Sequence, residues 1–267
     1  MTHPPKTLTQ SATEGVLRLM DGPPSPERLN AALRLLSKWR AQVLEGALVK
    51  RSGEVVLAGP FKGMRYPVRS AEGSRSSRLL GAYEAGLTPV ISAIVAGRYD
   101  LILNVGSAEG YYAVGLALKC PQARVLAHDT DMRAQVLCRA LAAANGVEAR
   151  LEIGGEVGHA DFAICTGRKS VILCDIEGAE DALLDPVMAP SLLGADILVE
   201  VHEGGNAGLA DRIAGRFSAT HKITRIGRQF SSDSLPDWAE GLSDIDRFLL
   251  LWEWRAAATP WLWMERA

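Results

Sequence analysis

The chain has 267 residues, with 29 Lys+Arg against 31 Asp+Glu and a formal net charge of -2, which excludes a histone-like, polyanion-coating protein. With 48% hydrophobic and 22% charged residues it can bury a core, so whole-chain disorder is excluded, and its 26 glycines follow no triplet repeat, so collagen is excluded too. The near-zero charge is a cancellation: residues 1–100 carry 14 basic and 8 acidic side chains, residues 101–267 carry 15 and 23. That asymmetry predicts two parts with different jobs, residues 1–98 and residues 99–267.

In chain order, a loose start is followed by helical patterning over Thr13–Met20. A stronger helix opens with Ser25 as N-cap and Pro26 at the first helical position. Leu29, Ala32, Leu33, Leu36, Trp39 and Val43 recur along it at helical spacing. The Gly/Pro-punctuated segment 54–66 reads as two short strands and a turn, and residues 79–96 read as one helix. Strands are then predicted at Asp100–Val105, Arg124–His128, Arg150–Ile153, Ser170–Asp175, Asp196–Val201 and His221–Gly227. Helices are predicted over Gly110–Leu118 and Met132–Ala144, and after Glu180 and Asn206. Such alternation implies an α/β fold with a parallel sheet covered on both faces. Ser243 is placed to cap a helix with Leu242, Ile245, Phe248, Leu249 and Trp252 on one face, and Trp261–Met264 reads as a closing strand.

Cys120, Cys138, Cys165 and Cys174 form no C-x-x-C pair and sit in apolar surroundings, so buried free thiols are expected. Residues 1–10 contain no apolar signal-peptide core, and no run of about 18 uninterrupted apolar residues exists. The expectation is a cytoplasmic protein without membrane association.

The most informative stretch is Leu101–Gly115, an apolar strand running into a turn with Gly106 and Gly110 and then a helix. Glycines there permit a sharp bend and close ligand approach, and the helix start offers free N–H groups. The next strand ends in Asp129, 19 residues beyond Gly110, where a carboxylate can accept hydrogen bonds from both ribose hydroxyls or cap the following helix. Glycine turn and acidic strand tip together point to an adenosine-containing ligand. Asn104 stands where the first glycine of a dinucleotide fingerprint would be, and no G-x-x-x-x-G-K-[ST] loop is present. A ligand without phosphates fits more easily.

The segment Asn104–Tyr112 resembles the first motif of class I S-adenosylmethionine-dependent methyltransferases. Asp175-Ile-Glu-Gly-Ala-Glu180 resembles the signature hexapeptide of the FkbM-like methyltransferases and follows an apolar strand, about 70 residues on. The likeness covers roughly residues 99–227. It implies a Rossmann-like seven-stranded sheet, mostly parallel, with an antiparallel last strand, Trp261–Met264, between the fifth and sixth. It implies S-adenosylmethionine as cofactor, held by Asn104, Gly106, Ser107, Glu109 and Gly110, with Asp129 on the ribose and Asp175 beside the sulfonium. Gly154–Val157 falls where such proteins contact adenine. Asn104 replaces the usual Asp, keeping a hydrogen-bonding side chain without the charge that could pair with the cofactor's ammonium group.

Asp175, Glu177 and His202 are the candidate catalytic residues: the carboxylates for orienting the acceptor or removing its proton, His202 as a base at near-neutral pH. Glu177 could equally cap the following helix. Asp175 with Glu200, His202 and Glu203 could instead hold a divalent cation or form an ordinary polar strand end, and no metal is assigned. Lys50, Arg51, Lys62, Arg65, Arg69, Arg75 and Arg78 could recruit an anionic small-molecule acceptor or form a solvated face, while nucleic acid is not expected. Tyr83 and Glu84 could line the pocket from above, or Tyr83 could pack and Glu84 face solvent. The expected activity is methyl transfer to a hydroxyl of a small molecule such as a sugar or secondary metabolite, in a chain able to form homo-oligomers. The region 1–98 would select the acceptor. Competing readings are a non-catalytic binding module with the same fold and an NAD-dependent oxidoreductase.

Overall fold

The computed structural model describes residues 6–204, 206–255 and 259–267. Helices α1 (Leu8–Met20) and α2 (Pro26–Ser52) open the chain. α1 starts earlier than its apolar pattern because Thr7 and Gln10 form a reciprocal capping box. Ser25 caps α2 as expected, accepting from Arg28 N–H at 3.3 Å. The buried side of α2 is Ala32, Ala41, Leu44 and Leu48, whereas Leu29, Leu33, Leu36 and Val43 remain exposed. Arg40, on the exposed stripe, instead binds Asp246 through two hydrogen bonds of 2.8 and 2.6 Å.

The expected hairpin over 54–66 reduces to one antiparallel bridge, Val55 to Arg65. Gly59 and Gly63 take positive φ and coil the segment, which buries Phe61, Met64 and Tyr66 and keeps only a few cross-turn backbone bonds such as Val56 N–H to the Met64 carbonyl at 2.9 Å. The expected helix over 79–96 is also divided. α3 (Arg75–Leu80) ends at Gly81, φ 73°, where a Cβ would overlap the Ala58 carbonyl. A 3₁₀ turn follows at Ala85–Leu87, then α4 (Thr88–Ala96). Residues 75–96 reach a mean hydropathy of 1.5, yet their apolar side chains fill the core beside the sheet.

The alternating part gives β1 (Leu101–Val105), α5 (Tyr111–Lys119), β2 (Arg124–His128), α6 (Met132–Asn145), β3 (Leu151–Gly154), β4 (Ser170–Cys174), α7 (Glu180–Leu183), β5 (Ala195–Glu200), α8 (Leu209–Phe217), β6 (His221–Ile226), α9 (Asp244–Leu251) and β7 (Trp261–Arg266). The strands form one seven-stranded sheet in the order β3-β2-β1-β4-β5-β7-β6. β1 to β5 pair in parallel, and β7 lies antiparallel between β5 and β6. This is the Rossmann-like α/β sheet expected from the sequence. α9 begins at the expected cap, Ser243, but turns Ile245 and Phe248 to solvent and buries Asp246, Leu250 and Leu251. Its buried face combines Leu250 and Leu251 with the Arg40–Asp246 pair.

Each sheet face carries its own apolar cluster. One unites Ile102, Val125, Leu173 and Leu198 of the strands with Leu48, Phe61, Tyr66, Leu79 and Ile91 of the first hundred residues. The other sets Leu103, Ile172 and Ile197 against Phe162, Leu184, Ile213 and Phe217. The order reverses between β1 and β4, and crossover loops leave a crevice beyond the carboxyl ends of strands at such a switch point.

Candidate active site

Register brings the expected residues to one sheet edge. Val105 lies opposite His128 on β2 and Cys174 on β4, so Gly106, Asp129 and Asp175 emerge together. Gly106 (φ 78°) has no room for a side chain, because a Cβ would fall on the carbonyl oxygen of Asp175. Its N–H and that of Ser107 both donate to the His128 carbonyl, at 2.8 and 2.9 Å. Ala108 then takes φ 48°, an uncommon conformation for a residue with a Cβ, and its N–H donates to Asp129 Oδ2 at 2.8 Å. Asp131 N–H donates to the other oxygen, also at 2.8 Å. Asp129 is therefore held by two backbone donors at the mouth of the turn, with acceptor capacity left over.

Below this turn lies a cleft of about 590 Å³. One wall is Gly106, Ala108 and Asp129, another is Gly155–His159 after β3, and a third is Asp175–Glu177 with Ala179, Ala182 and Leu183. His128 shapes the second wall, as its Nδ1 meets the Gly155 carbonyl at 3.0 Å. Six carboxylates line the cleft (Glu72, Asp129, Asp131, Glu156, Asp175 and Glu177) and, among the described residues, no Lys or Arg does. Asn104 and Ser107 are 3% and 5% exposed, yet Asn104 Oδ1 and Ser107 Oγ have no hydrogen-bond partner. Gly110 (φ 92°) caps α5 and faces Cys138 of α6, so it serves packing.

Glu109, expected at the cofactor, is fully buried and turned away from the cleft. It accepts from Tyr66 Oη at 2.7 Å and Ala71 N–H at 2.8 Å, and pairs with Arg78 at 2.9 Å. Its work is to tie segment 66–78 to the glycine turn. Arg78 is buried with it and lies 3.8 Å from the Tyr83 ring centroid. Arg75 is occupied by Glu45 and Glu54, and Arg51 covers Trp238. Three of the seven basic residues are thus internal partners, which removes much of the surface expected to recruit an anionic acceptor.

Past β4 the backbone turns tightly, with Glu177 at φ 54° and Gly178 at φ 113°. Glu177 does not cap the next helix. Glu180 accepts from Ile176 and Gly178 N–H instead, at 3.4 and 3.1 Å. Glu180 is fully buried and also takes the Nδ1–H of His202 at 2.8 Å. That contact leaves His202 Nε2 facing Glu177 Oε2 at 3.3 Å and Asp175 Oδ1 at 3.7 Å. Burial alone would depress the His202 pKa, but the Glu180 hydrogen bond and the charges of Glu200, Glu177 and Glu180 outweigh it and hold it above the usual imidazole value. Asp175 is raised well above the carboxylate range by burial and by the neighbouring charges of Glu200 and Glu84.

Beyond Asp175 the space closes around Arg255. Its guanidinium pairs with Glu84, Glu200 and, at 3.1 Å, Glu253, and Thr259 donates to Glu200. Glu84 is 8% exposed, sits at φ 48° and accepts from Tyr112. Burial and the charge of Glu200 push its pKa up to about 8. Neither Tyr83 nor Glu84 is an open pocket wall or a solvent contact: Tyr83 packs under Arg78 and Glu84 binds Arg255. Ligand atoms of Asp175, Glu200 and His202 come within 4.8 Å of one another, and Glu203 does not join them. Arg255 already supplies a cation to Glu200, so this set suits internal charge balance better than a metal ion. Arg255, Glu253 and Glu72 carried no local sequence signal, whereas Glu180 closes the quoted hexapeptide.

No protein-family description matches the chain, and no curated protein matches it by sequence. Similar folds occur among solved structures. The O-methyltransferase from Bacillus cereus, in complex with SAH, is 12% identical with a TM-score of 0.43, covering 97% of this chain and 100% of that one. The O-methyltransferase TomG from Streptomyces achromogenes, in complex with SAM, is 13% identical with a TM-score of 0.45, covering 85% and 89%. Cofactor-bound Rv0187 from MTB is 14% identical with a TM-score of 0.44, covering 92% and 100%. None reaches a TM-score of 0.5, so the chemistry of the site rests on this chain's own residues.

Proposed function

We propose that this chain is a class I S-adenosylmethionine-dependent methyltransferase that methylates a hydroxyl oxygen of a small molecule. The carrying observation is the cleft at the β1/β4 switch point, walled by six carboxylates and no Lys or Arg among the described residues, with Asp129 at its β2 tip. A pyrophosphate cofactor would meet repulsion there, whereas a cofactor with a sulfonium and an ammonium is attracted. The unpartnered, buried Asn104 Oδ1 and Ser107 Oγ fit such a group, since each can still accept or exchange a hydrogen bond. The Asp175–Glu180 hexapeptide relates the chain to the FkbM-like methyltransferases, and four buried free thiols suit a reducing, cytoplasmic setting.

When bound, S-adenosylmethionine supplies an electrophilic methyl group on sulfur. Asp129 holds the ribose, and Gly106 lets the backbone approach. Asp175 stands at the strand tip, where the acceptor is aligned. His202 Nε2 takes the acceptor's proton, while Glu180 fixes the tautomer through Nδ1–H and stabilises the imidazolium formed. A hydroxyl acceptor must lose its proton as the methyl group arrives, and His202 is placed to take it. The region 1–98 covers one sheet face and supplies Glu72 to the cleft, consistent with a role in ligand selection.

Calorimetry with S-adenosylmethionine and, separately, NAD tests the reading. Binding of the first and not the second is expected, and Asp129→Ala should lose affinity by about 100-fold, as two or more hydrogen bonds to the ribose disappear. No heat and no thermal shift at millimolar S-adenosylmethionine would overturn the proposal.

A further inference from the structure

We propose that Glu72 is the partner of the cofactor's α-ammonium group, supplying from the N-terminal region the negative charge that Asn104 lacks. The inference rests on the cofactor reading above and follows from what the other carboxylates are doing. Both oxygens of Asp129 are fixed by backbone donors at the ribose end. Asp131 is held by Arg133 at 3.0 Å. Glu156 stands after β3 on the wall assigned to adenine. Glu177 faces His202 Nε2, and Asp175 stands beside Glu200 and His202. Glu72 alone lines the cleft from segment 66–78, and among the described residues its side chain makes no hydrogen bond or ion pair.

That segment is built to hold it still. Ala71 N–H is anchored to Glu109 inside the glycine turn, at 2.8 Å. The Glu72 carbonyl accepts from buried Arg78 at 3.0 Å. Gly73, at φ 64°, lies so close to the Glu253 backbone that a Cβ would come within 3.0 Å of its carbonyl oxygen. Glu72 itself is exposed, so these contacts fix its backbone and leave its carboxylate open to a ligand in the cleft. Desolvation and the charge of Glu177 raise the Glu72 pKa, with Asp129 and Glu109 adding to it against Arg78. An ammonium group gives Glu72 the ion-pair partner that it lacks among the described residues.

Calorimetry on Glu72→Gln with two ligands decides it. S-adenosylmethionine carries the ammonium, and 5′-methylthioadenosine keeps the nucleoside but lacks the amino-acid head. We expect Glu72→Gln to weaken S-adenosylmethionine by about tenfold or more, the scale of a charge-assisted hydrogen bond, and to leave 5′-methylthioadenosine unchanged. Unchanged binding of the second ligand also reports that the variant is folded. Equal affinity of wild type and variant for S-adenosylmethionine, or equal weakening of both ligands, would overturn the assignment while leaving the methyltransferase reading intact. Failure of the wild type to bind either ligand would overturn both.

Discussion

Two carboxylate-rich regions meet at Asp175 and are solved in opposite ways. On one side, the cleft keeps six carboxylates around about 590 Å³ of open space with no Lys or Arg among them. On the other, Glu84, Glu200 and Glu253 converge on the guanidinium of Arg255 and leave almost no space. The same residue types are thus spent on internal neutralisation in one place and left short of cations in the other. The cleft carboxylates are exposed or half-buried and, among the described residues, no Lys or Arg lines the space between them, so their summed field favours a cationic ligand.

The largest effect follows from removing the internal cation. Arg255→Ala leaves the buried carboxylates of Glu84, Glu200 and Glu253 without their shared cation and should cost about 3–5 kcal/mol of stability, read by denaturant unfolding. Unchanged stability would mean that the closed region is not held by that charge. Glu180→Gln tests the boundary between the two regions. Its loss removes the partner of His202 and should slow methyl transfer on the order of tenfold, with the His202 pKa falling toward the ordinary imidazole range in an NMR titration. The sign follows from the elevated pKa: in wild type the base form appears only as pH rises through that value, so the variant's acid limb moves to lower pH. The Glu180–imidazolium pair correspondingly stabilises the wild type fully below the unfolded histidine pKa, and that contribution disappears as pH rises through the folded one. The variant should lose this slope. The smallest effect is expected from a chelator: with Arg255 already serving Glu200, stripping divalent ions should leave turnover unchanged, and a chelator-sensitive rate would show that Asp175, Glu200 and His202 hold a metal.

Much of the site was legible because it is local. Gly106, Asp129 and Asp175 each follow an apolar strand, and parallel register alone brings three such strand ends to one edge. Glu109 misled because adjacency in a turn does not fix direction: Ala108 lines the cleft while the Glu109 side chain points back to Tyr66 and Arg78. Of the two readings open for Glu177, capping of the next helix is not what the structure shows: Glu180 reaches back to the Ile176 and Gly178 N–H groups of the turn, and Glu177 faces His202. The exposed stripe on α2 and the face of α9 could not be read from periodicity, because the faces are chosen by packing between distant segments, among them the contact of Arg40 with Asp246, 206 residues apart.

By itself, the sequence determined the alternating strands and helices, the glycine turn and the acidic strand tip, all of them consequences of short-range geometry, while the antiparallel placement of the closing strand came from the family resemblance. Only the tertiary structure decided which carboxylates are satisfied and which are free. That outcome depends on Arg255, Arg78 and His202 arriving from distant positions, and electrostatic balance is a property of three-dimensional neighbours. The charge cancellation in the whole chain hid the decisive fact, which is a cleft lined by six carboxylates and, among the described residues, by no Lys or Arg.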